Sequence, residues 1–383
     1  MKRISILLMA AALAVPACSS DSSSDGTPGD DGTTPTDEWD KELAKREYDY
    51  NAALRIVALR LTGDLPTMTE ILAVANAPDL PSKKAAYETL VADYMARPTF
   101  ARQMFFFWRD TFKMGETAEL DFAPAYAAQL SVENQDYRNL FTATTGTCPT
   151  VDINAGTFTP GNCTYAGPIA GVITDKGAMR HYFGNFAFRR VKWIEETFDC
   201  LKFPVEMAGT PQEVGGPSPY TGEWPFASIS GTNNGGRVNF LDVSSVICAN
   251  CHQTLNHIAP LFANYDAMGV YQTAISVPTP LDGAPMARLT DYLPAGETTA
   301  WRYQVPAADL PGLGAAIAAD TDVAKCGVAR IWNWAMGKQD IVDTLSEVPA
   351  ETIQTQLDNF IASGYKMKDL IFAVYTADDF VKF

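Results

Sequence analysis

Histidine is scarce in this chain. His181, His252 and His257 are the only three in 383 residues, and a second Cys-x-x-Cys-His is absent. The count excludes a two-haem enzyme, and it leaves no second close Cys or His pair to complete a four-ligand zinc site. Positive charge is also short. The 29 Lys and Arg against 45 Asp and Glu leave a formal net charge of −16, which excludes nucleic acid as a partner because phosphate contacts depend on basic side chains. Basic partners are favoured instead. Nucleophile elbow, Walker loop, dinucleotide fingerprint and HExxH are all missing, and the acidic residues have no spacing that singles out an acid/base pair. Strand signals are few and internal repeats absent, so the fold class is mostly α.

What is present begins with an export signal. Lys2 and Arg3 precede an apolar stretch from Ile4 to Val15, too short to remain as a spanning helix. Its ending, Val15-Pro16-Ala17-Cys18, resembles the lipobox of bacterial lipoproteins, which implies lipidation of Cys18 and removal of residues 1–17. The alternative is a plain secretory signal. Residues 19–37 contain five aspartates and no aliphatic or aromatic side chain beyond proline, and they read as a disordered tether. Such a segment reaches roughly 25 Å, which would hold the folded part beside a membrane without entering it.

Seven cysteines must be accommodated in an oxidising compartment. Cys18 takes the lipid, and Cys248 and Cys251 belong to one motif with His252. Cys148, Cys163, Cys200 and Cys326 remain. Cys148 and Cys163 flank a segment in which Val151, Ile153 and Phe158 are interrupted by turn residues, the pattern of a small hairpin closed by a Cys148–Cys163 disulfide. Cys200 and Cys326 are then left for each other, although four cysteines formally allow three pairings.

Helical spacing runs through the rest. Leu43, Glu47, Tyr50, Leu54, Val57 and Leu61 predict one amphipathic helix over 38–62, stopped by Gly63 and Pro66. Thr67-Met68-Thr69-Glu70 reads as a capping box opening a second helix, and a third spans 83–96. The run FARQMFFFWRDTF is apolar nearly all round and is expected in the middle of a bundle, as core packing rather than the lining of a cofactor pocket. Residues 175–203 predict two helical pieces. The stretch 209–240, rich in Gly and Pro, predicts a covering loop, and helices recur over 313–319, 323–336, 353–361 and 370–374. The expected organisation is a signal at 1–17, a lipidated tether at 18–37, an N-terminal helical module at 38–145, a Cys-x-x-Cys-His module with the hairpin inserted at 146–305, and a C-terminal helical module at 306–383.

The chemistry concentrates in Cys248-Ala249-Asn250-Cys251-His252. In a c-type cytochrome the two cysteines add to the haem vinyl groups and the histidine ligates iron, because one helical turn sets both sulfurs over one ring edge and aims the imidazole at the centre. Leu255, Ile258, Leu261 and Phe262 continue an apolar stripe, equally suited to lying on a haem or to ordinary core. A structural disulfide, a metal corner and a redox dithiol are the other readings of the same residues. A thioredoxin-like dithiol wants a βαβ unit, and the sequence shows none.

CxxCH followed by NHIAPLFANYDAMG resembles, without a gap, the CxxCH and DPLGFALENFDAIG run of cytochrome-like proteins of planctomycetes and myxobacteria built from domains of unknown function. Matching positions are Cys248, Cys251, His252, Leu255, Asn264, Tyr265, Asp266, Ala267 and Gly269, while Asn256-His257-Ile258-Ala259 departs from the family's Asp-Pro-Leu-Gly. RLTGDLPTMTEI from Arg60, the segment GVITDKGAMRHYFGNFAFRRVKW, and CGVARIWNWAMGK with SGYKMKDLI are similar to the family's other modules. The resemblance implies one covalent haem c and the modular architecture more than any reaction, and one Cys-x-x-Cys-His behind an export signal makes electron transfer the expected role rather than a substrate of its own. It also implies a place for Cys200 and Cys326 among the family's recurring cysteines. His252 is the expected fifth iron ligand, with Met286 and then Met268 as candidate sixth ligands. His257 is too near His252 to reach the opposite face of the same ring, and His181 reads as a packed or surface side chain. Asn264 and Asp266 would hydrogen-bond near the haem or, with Gly269, shape a turn. The expected location is the bacterial cell envelope, lipid-anchored on the periplasmic or cell-surface side of the outer membrane. The alternative function is a haem-free, disulfide-stabilised binding or scaffold lipoprotein.

Overall fold

The single helix expected over 38–62 is two. The computed structural model describes residues 38–163, 166–201, 254–278, 286–289, 292–293, 296–302, 305–338 and 348–383, and α1 (Glu38–Leu43) ends well before α2 (Tyr50–Thr62). Helical spacing continues through the break, but the residues between have other partners. The Asp49 side chain accepts from the N–H groups of Asn51 and Ala52 and so starts α2 as its N-cap. The backbones of Glu47 and Asp49 pair with Phe383 and Val381 at the far end of the chain. The export signal, Cys18, the tether and the Gly/Pro-rich 209–240 stretch lie outside the described residues.

The next boundaries follow local chemistry. Thr67 and Glu70 form the expected capping box at the start of α3 (Met68–Ala75). Asp79 caps α4 (Leu80–Ala96), which therefore begins three residues before the apolar spacing suggests. Pro98 opens α5 (Pro98–Phe112), where its missing N–H costs nothing. In α5, Phe100, Met104, Phe105, Trp108 and Phe112 are buried, but Phe106 is 37% exposed and Phe107 half-buried, so the helix is not enclosed on all sides. A cleft opens beside those two rings. The Trp108 indole donates to Ser131 Oγ of α6 (Ala118–Val132) at 3.0 Å, which satisfies its one polar atom inside the core.

After α7 (Asn139–Thr142), the hairpin pairs β1 (Thr150–Asp152) with β2 (Thr157–Thr159), Val151 opposite Phe158, and Cys148 is bonded to Cys163 at its base. Gly171 has φ +52°, and a Cβ there would lie 1.9 Å from the Leu140 carbonyl oxygen, so only glycine lets these two backbones approach. The segment 175–203 forms α8 (Lys176–His181), α9 (Phe188–Ile194) and a π turn at Glu195–Asp199, after which Cys200 is bonded to Cys326.

Beyond α10 (254–258), a short pairing of β3 (Ala300–Trp301) with β4 (Val305–Pro306) leads into α11 (Leu310–Ala319) and α12 (Thr321–Met336). Then come α13 (Ala350–Ala362), α14 (Met367–Thr376) and α15 (Asp378–Val381). The chain returns on itself here. α14 packs on α4 and α6, α15 on α2, and the Tyr87 hydroxyl donates to the Tyr375 carbonyl at 2.6 Å. The architecture is mostly α, with two small antiparallel sheets among the described residues. Residues 46–383 form one compact unit around a continuous core that draws on all three stretches expected as modules.

Candidate functional site

Cys248, Cys251 and His252 lie outside the described residues, which resume at Thr254, two positions after His252. From there α10 and the 3₁₀ turn Ala259–Phe262 carry the apolar stripe inward. Leu255, Ile258, Ala259 and Phe262 are buried in the common core, and Leu261 is half-buried. Thr254 is fully buried, and its hydroxyl has no hydrogen-bond partner among the described residues. Such an atom costs about 1–3 kcal/mol if it stays unpaired, so a buried donor or acceptor next to the cysteine–histidine motif is a feature to account for.

The segment after the motif is held by an arginine that sequence reasoning passed over. Arg190 of α9 is fully buried. Its guanidinium donates to four backbone carbonyls, those of Met179, Phe262, Tyr265 and Asp266, at 2.7–3.2 Å. Burial pushes its pKa down to about 10, against the opposing pull of Tyr265 and Asp266. The carbonyls of a tight turn cannot all find N–H partners, and one rigid fork of donors supplies them. The signal in the sequence was the position of Arg190, at helical spacing with Ala187, Val191 and Ile194 on an apolar face.

The turn itself is built by Asn264, Asp266 and Gly269. Asp266 Oδ1 accepts from the N–H groups of Met268 and Val270, and Oδ2 accepts from Gln272 Nε2 at 2.7 Å. Asn264 donates its amide to the Gln272 carbonyl at 3.0 Å. Burial raises the Asp266 carboxyl's pKa, but the bonds from Val270, Gln272 and Met268 and the nearby Arg190 outweigh it and hold the group below its ordinary value. Gly269 has φ +69°, and a Cβ there would stand 2.4 Å from the Lys176 carbonyl oxygen, so this glycine sets the approach of the turn to α8. Asn264, Asp266 and Gly269 thus shape this turn.

Met268 and Met286 are each about half exposed, the first in this turn and the second bridged through its backbone to Pro278. His257 Nε2 stands 3.0 Å from Glu297 Oε2. His181 sits exposed at the end of α8 with its ring edge-on to Tyr182, centroids 4.7 Å apart. Among the described residues, the one group of Cys, His and acidic side chains close enough to share a metal ion is Cys148, Cys163 and Asp175. Two of its three sulfur and oxygen donors are already consumed in the hairpin disulfide, and a disulfide offers no thiolate. No described helix is long and apolar enough to cross a membrane. No known protein family, curated protein or solved structure matches the chain.

Proposed function

We propose that the chain is a lipid-tethered, single-haem c-type cytochrome-like protein of the bacterial cell envelope that transfers electrons. The observation that carries this reading is one Cys-x-x-Cys-His placed behind an export signal ending in a lipobox-like cysteine. Cys248 and Cys251 would hold the group through thioether bonds and His252 would provide the fifth ligand, with Met286 and then Met268 as sixth-ligand candidates. A haem held this way supplies one-electron chemistry at a potential set by its axial ligands and burial. The donor set fits that group, and the unpaired, buried Thr254 hydroxyl beside it adds a polar atom with which the group or its water could bond. The two disulfides suit an oxidising compartment. The formal charge of −16 favours a basic redox partner, through steering rather than contact area.

The test is export of the full chain in a host that carries haem-maturation proteins, followed by a reduced-minus-oxidised spectrum and intact mass. The expected product is coloured, has a Soret band, carries the mass of one haem, and loses both in a Cys248→Ser, Cys251→Ser variant. A colourless product of unmodified mass overturns the reading and leaves the haem-free alternative, in which Cys248 and Cys251 pair.

A further inference from the structure

At the base of the hairpin a buried acid lies against a buried sulfur. Asp175, the N-cap of α8, is 1% exposed, and Cys148 is 7% exposed. Asp175 Oδ1 accepts from the Ala178 N–H at 2.9 Å, and Oδ2 stands 3.9 Å from Cys148 Sγ. A disulfide sulfur carries no hydrogen, so this contact becomes a hydrogen bond only when the carboxyl itself is protonated. Burial favours that form and pushes the Asp175 pKa up to about 7, against the N–H groups of Ala178 and Gly177 and with Glu119 adding to the rise. Glu119 of α6 is in turn paired with Lys176 and Arg180 of α8 at 3.0 and 3.2 Å. The hairpin's own acid, Asp152, is taken up by the N–H groups of Asn154 and Ala155.

The partner sulfur is the more accessible of the two. Cys163 is half-buried, with the Thr147 hydroxyl 3.3 Å from its Sγ. The frame around the pair is also tied independently of the S–S bond. Cys148 donates its N–H to the Gly161 carbonyl at 3.1 Å, and Asn162 Oδ1 accepts from the Gly146 N–H at 2.6 Å, so the two cysteines are held side by side whether or not they are bonded. The other disulfide differs at its buried sulfur. Cys326, 3% exposed, has the Thr197 carbonyl oxygen 3.6 Å from its Sγ, and a carbonyl has no proton to give.

We infer that Cys148–Cys163 is an exchange-active disulfide, opened by a dithiol reductant that attacks Cys163 while Asp175 protonates the departing Cys148. A thiolate of the reductant bonds to Cys163 Sγ, the S–S bond breaks, and its electron pair leaves on Cys148 Sγ, which takes the Asp175 proton. The reductant's second thiolate then attacks the mixed disulfide. It departs as a cyclic disulfide, two electrons poorer, and Cys163 and the Asp175 carboxylate recover protons from solvent. In the reverse direction the Asp175 carboxylate takes the proton of the Cys148 thiol, and the thiolate so formed closes on Cys163 within the same frame. None of these residues belongs to the Cys-x-x-Cys-His segment, so the exchange site stands apart from the haem assignment.

The test is a time course of anaerobic reduction of the oxidised full chain by excess dithiothreitol, quenched with N-ethylmaleimide and read by peptide mass so that each disulfide is followed separately. Cys148–Cys163 is expected to open roughly tenfold faster than Cys200–Cys326 at pH ~6. Divided by the concentration of dithiothreitol thiolate, its rate should fall about tenfold between pH ~6 and pH ~8 as Asp175 gives up its proton, while that of Cys200–Cys326 stays level. Asp175→Asn keeps a side-chain oxygen to cap α8 but has no proton to transfer, so it should slow the opening by about tenfold at pH ~6 and remove the pH dependence. Equal rates at the two disulfides, or a normalised rate at Cys148–Cys163 that is level with pH, would overturn the assignment from the unmutated chain alone. A folded Asp175→Asn variant that keeps the pH-dependent fall would overturn it as well.

Discussion

Glu195 is fully buried, and neither of its carboxyl oxygens meets a hydrogen-bond donor among the described residues. Asp199, one π turn on and 7% exposed, has among the described residues only Arg302 Nε at 3.7 Å. That arginine divides its charge among three carboxylates and stands closer to Asp320 and Asp322, at 3.2 and 2.6 Å. Burial therefore wins at Asp199 and pushes its pKa up to about 8, with Arg302 opposing and Asp320 and Asp322 adding to the rise. Burial and the neighbouring Asp199 raise Glu195 as well. A carboxyl whose pKa is raised on folding binds its proton more tightly in the native state, so its stabilising contribution is full at low pH and is lost as pH rises through about 8. The fall begins near pH ~4, where the unfolded carboxyl ionises, and runs at about 1.4 kcal/mol per pH unit for Asp199 until about 8. Asp199→Asn should flatten the fall in urea-unfolding free energy between pH ~4 and pH ~8 and change little below pH ~4. Arg190 makes the opposite case, a buried charge that is fully hydrogen-bonded. Arg190→Met leaves four carbonyls without their donors and should cost about 3–5 kcal/mol, while Arg190→Lys, with a compact ammonium, should recover only part of it by the same measurement.

At the scale of elements, local rules placed most boundaries. Thr67 with Glu70, Asp79 and Asp49 begin helices where their side chains can reach free N–H groups, and Gly63 ends α2 in the left-handed conformation. The helix expected over 38–62 broke because residues 47–49 pair with a segment more than three hundred residues away, which helical spacing cannot reveal. The two disulfides join elements at different ranges. Cys148–Cys163 closes a separation of 15 residues within the hairpin, whereas Cys200–Cys326 joins the π turn to α12 over 126 residues. On the chain-entropy model the first contributes about 3 kcal/mol and the second about 4–5 kcal/mol. Cys200→Ser with Cys326→Ser should accordingly lower the urea midpoint more than Cys148→Ser with Cys163→Ser. An equal or reversed order would place the stabilisation in native-state packing instead.

For the whole molecule, the acidity and the proposed tether act together. A lipid on Cys18 would hold a strongly negative body near a membrane surface, with residues 19–37 as spacer. Cys18→Ala should move the exported chain from the membrane pellet to the soluble fraction, with the folded part unchanged by circular dichroism. Recovery of the variant in the pellet would count against the anchor.

Parity of the cysteines, the helical class, the capping residues and the Cys-x-x-Cys-His motif were legible in the sequence because each depends on composition or on neighbours within a few positions. The burial of Arg190, the burial of Glu195 and the turn role of Asp266 depend on which distant segments meet. Arg190 reads as one more surface cation until carbonyls more than seventy residues away close around it. Local chemistry decided where helices start and stop. Long-range packing decided which charges lose water, and that sets both their pKa values and what they can bind.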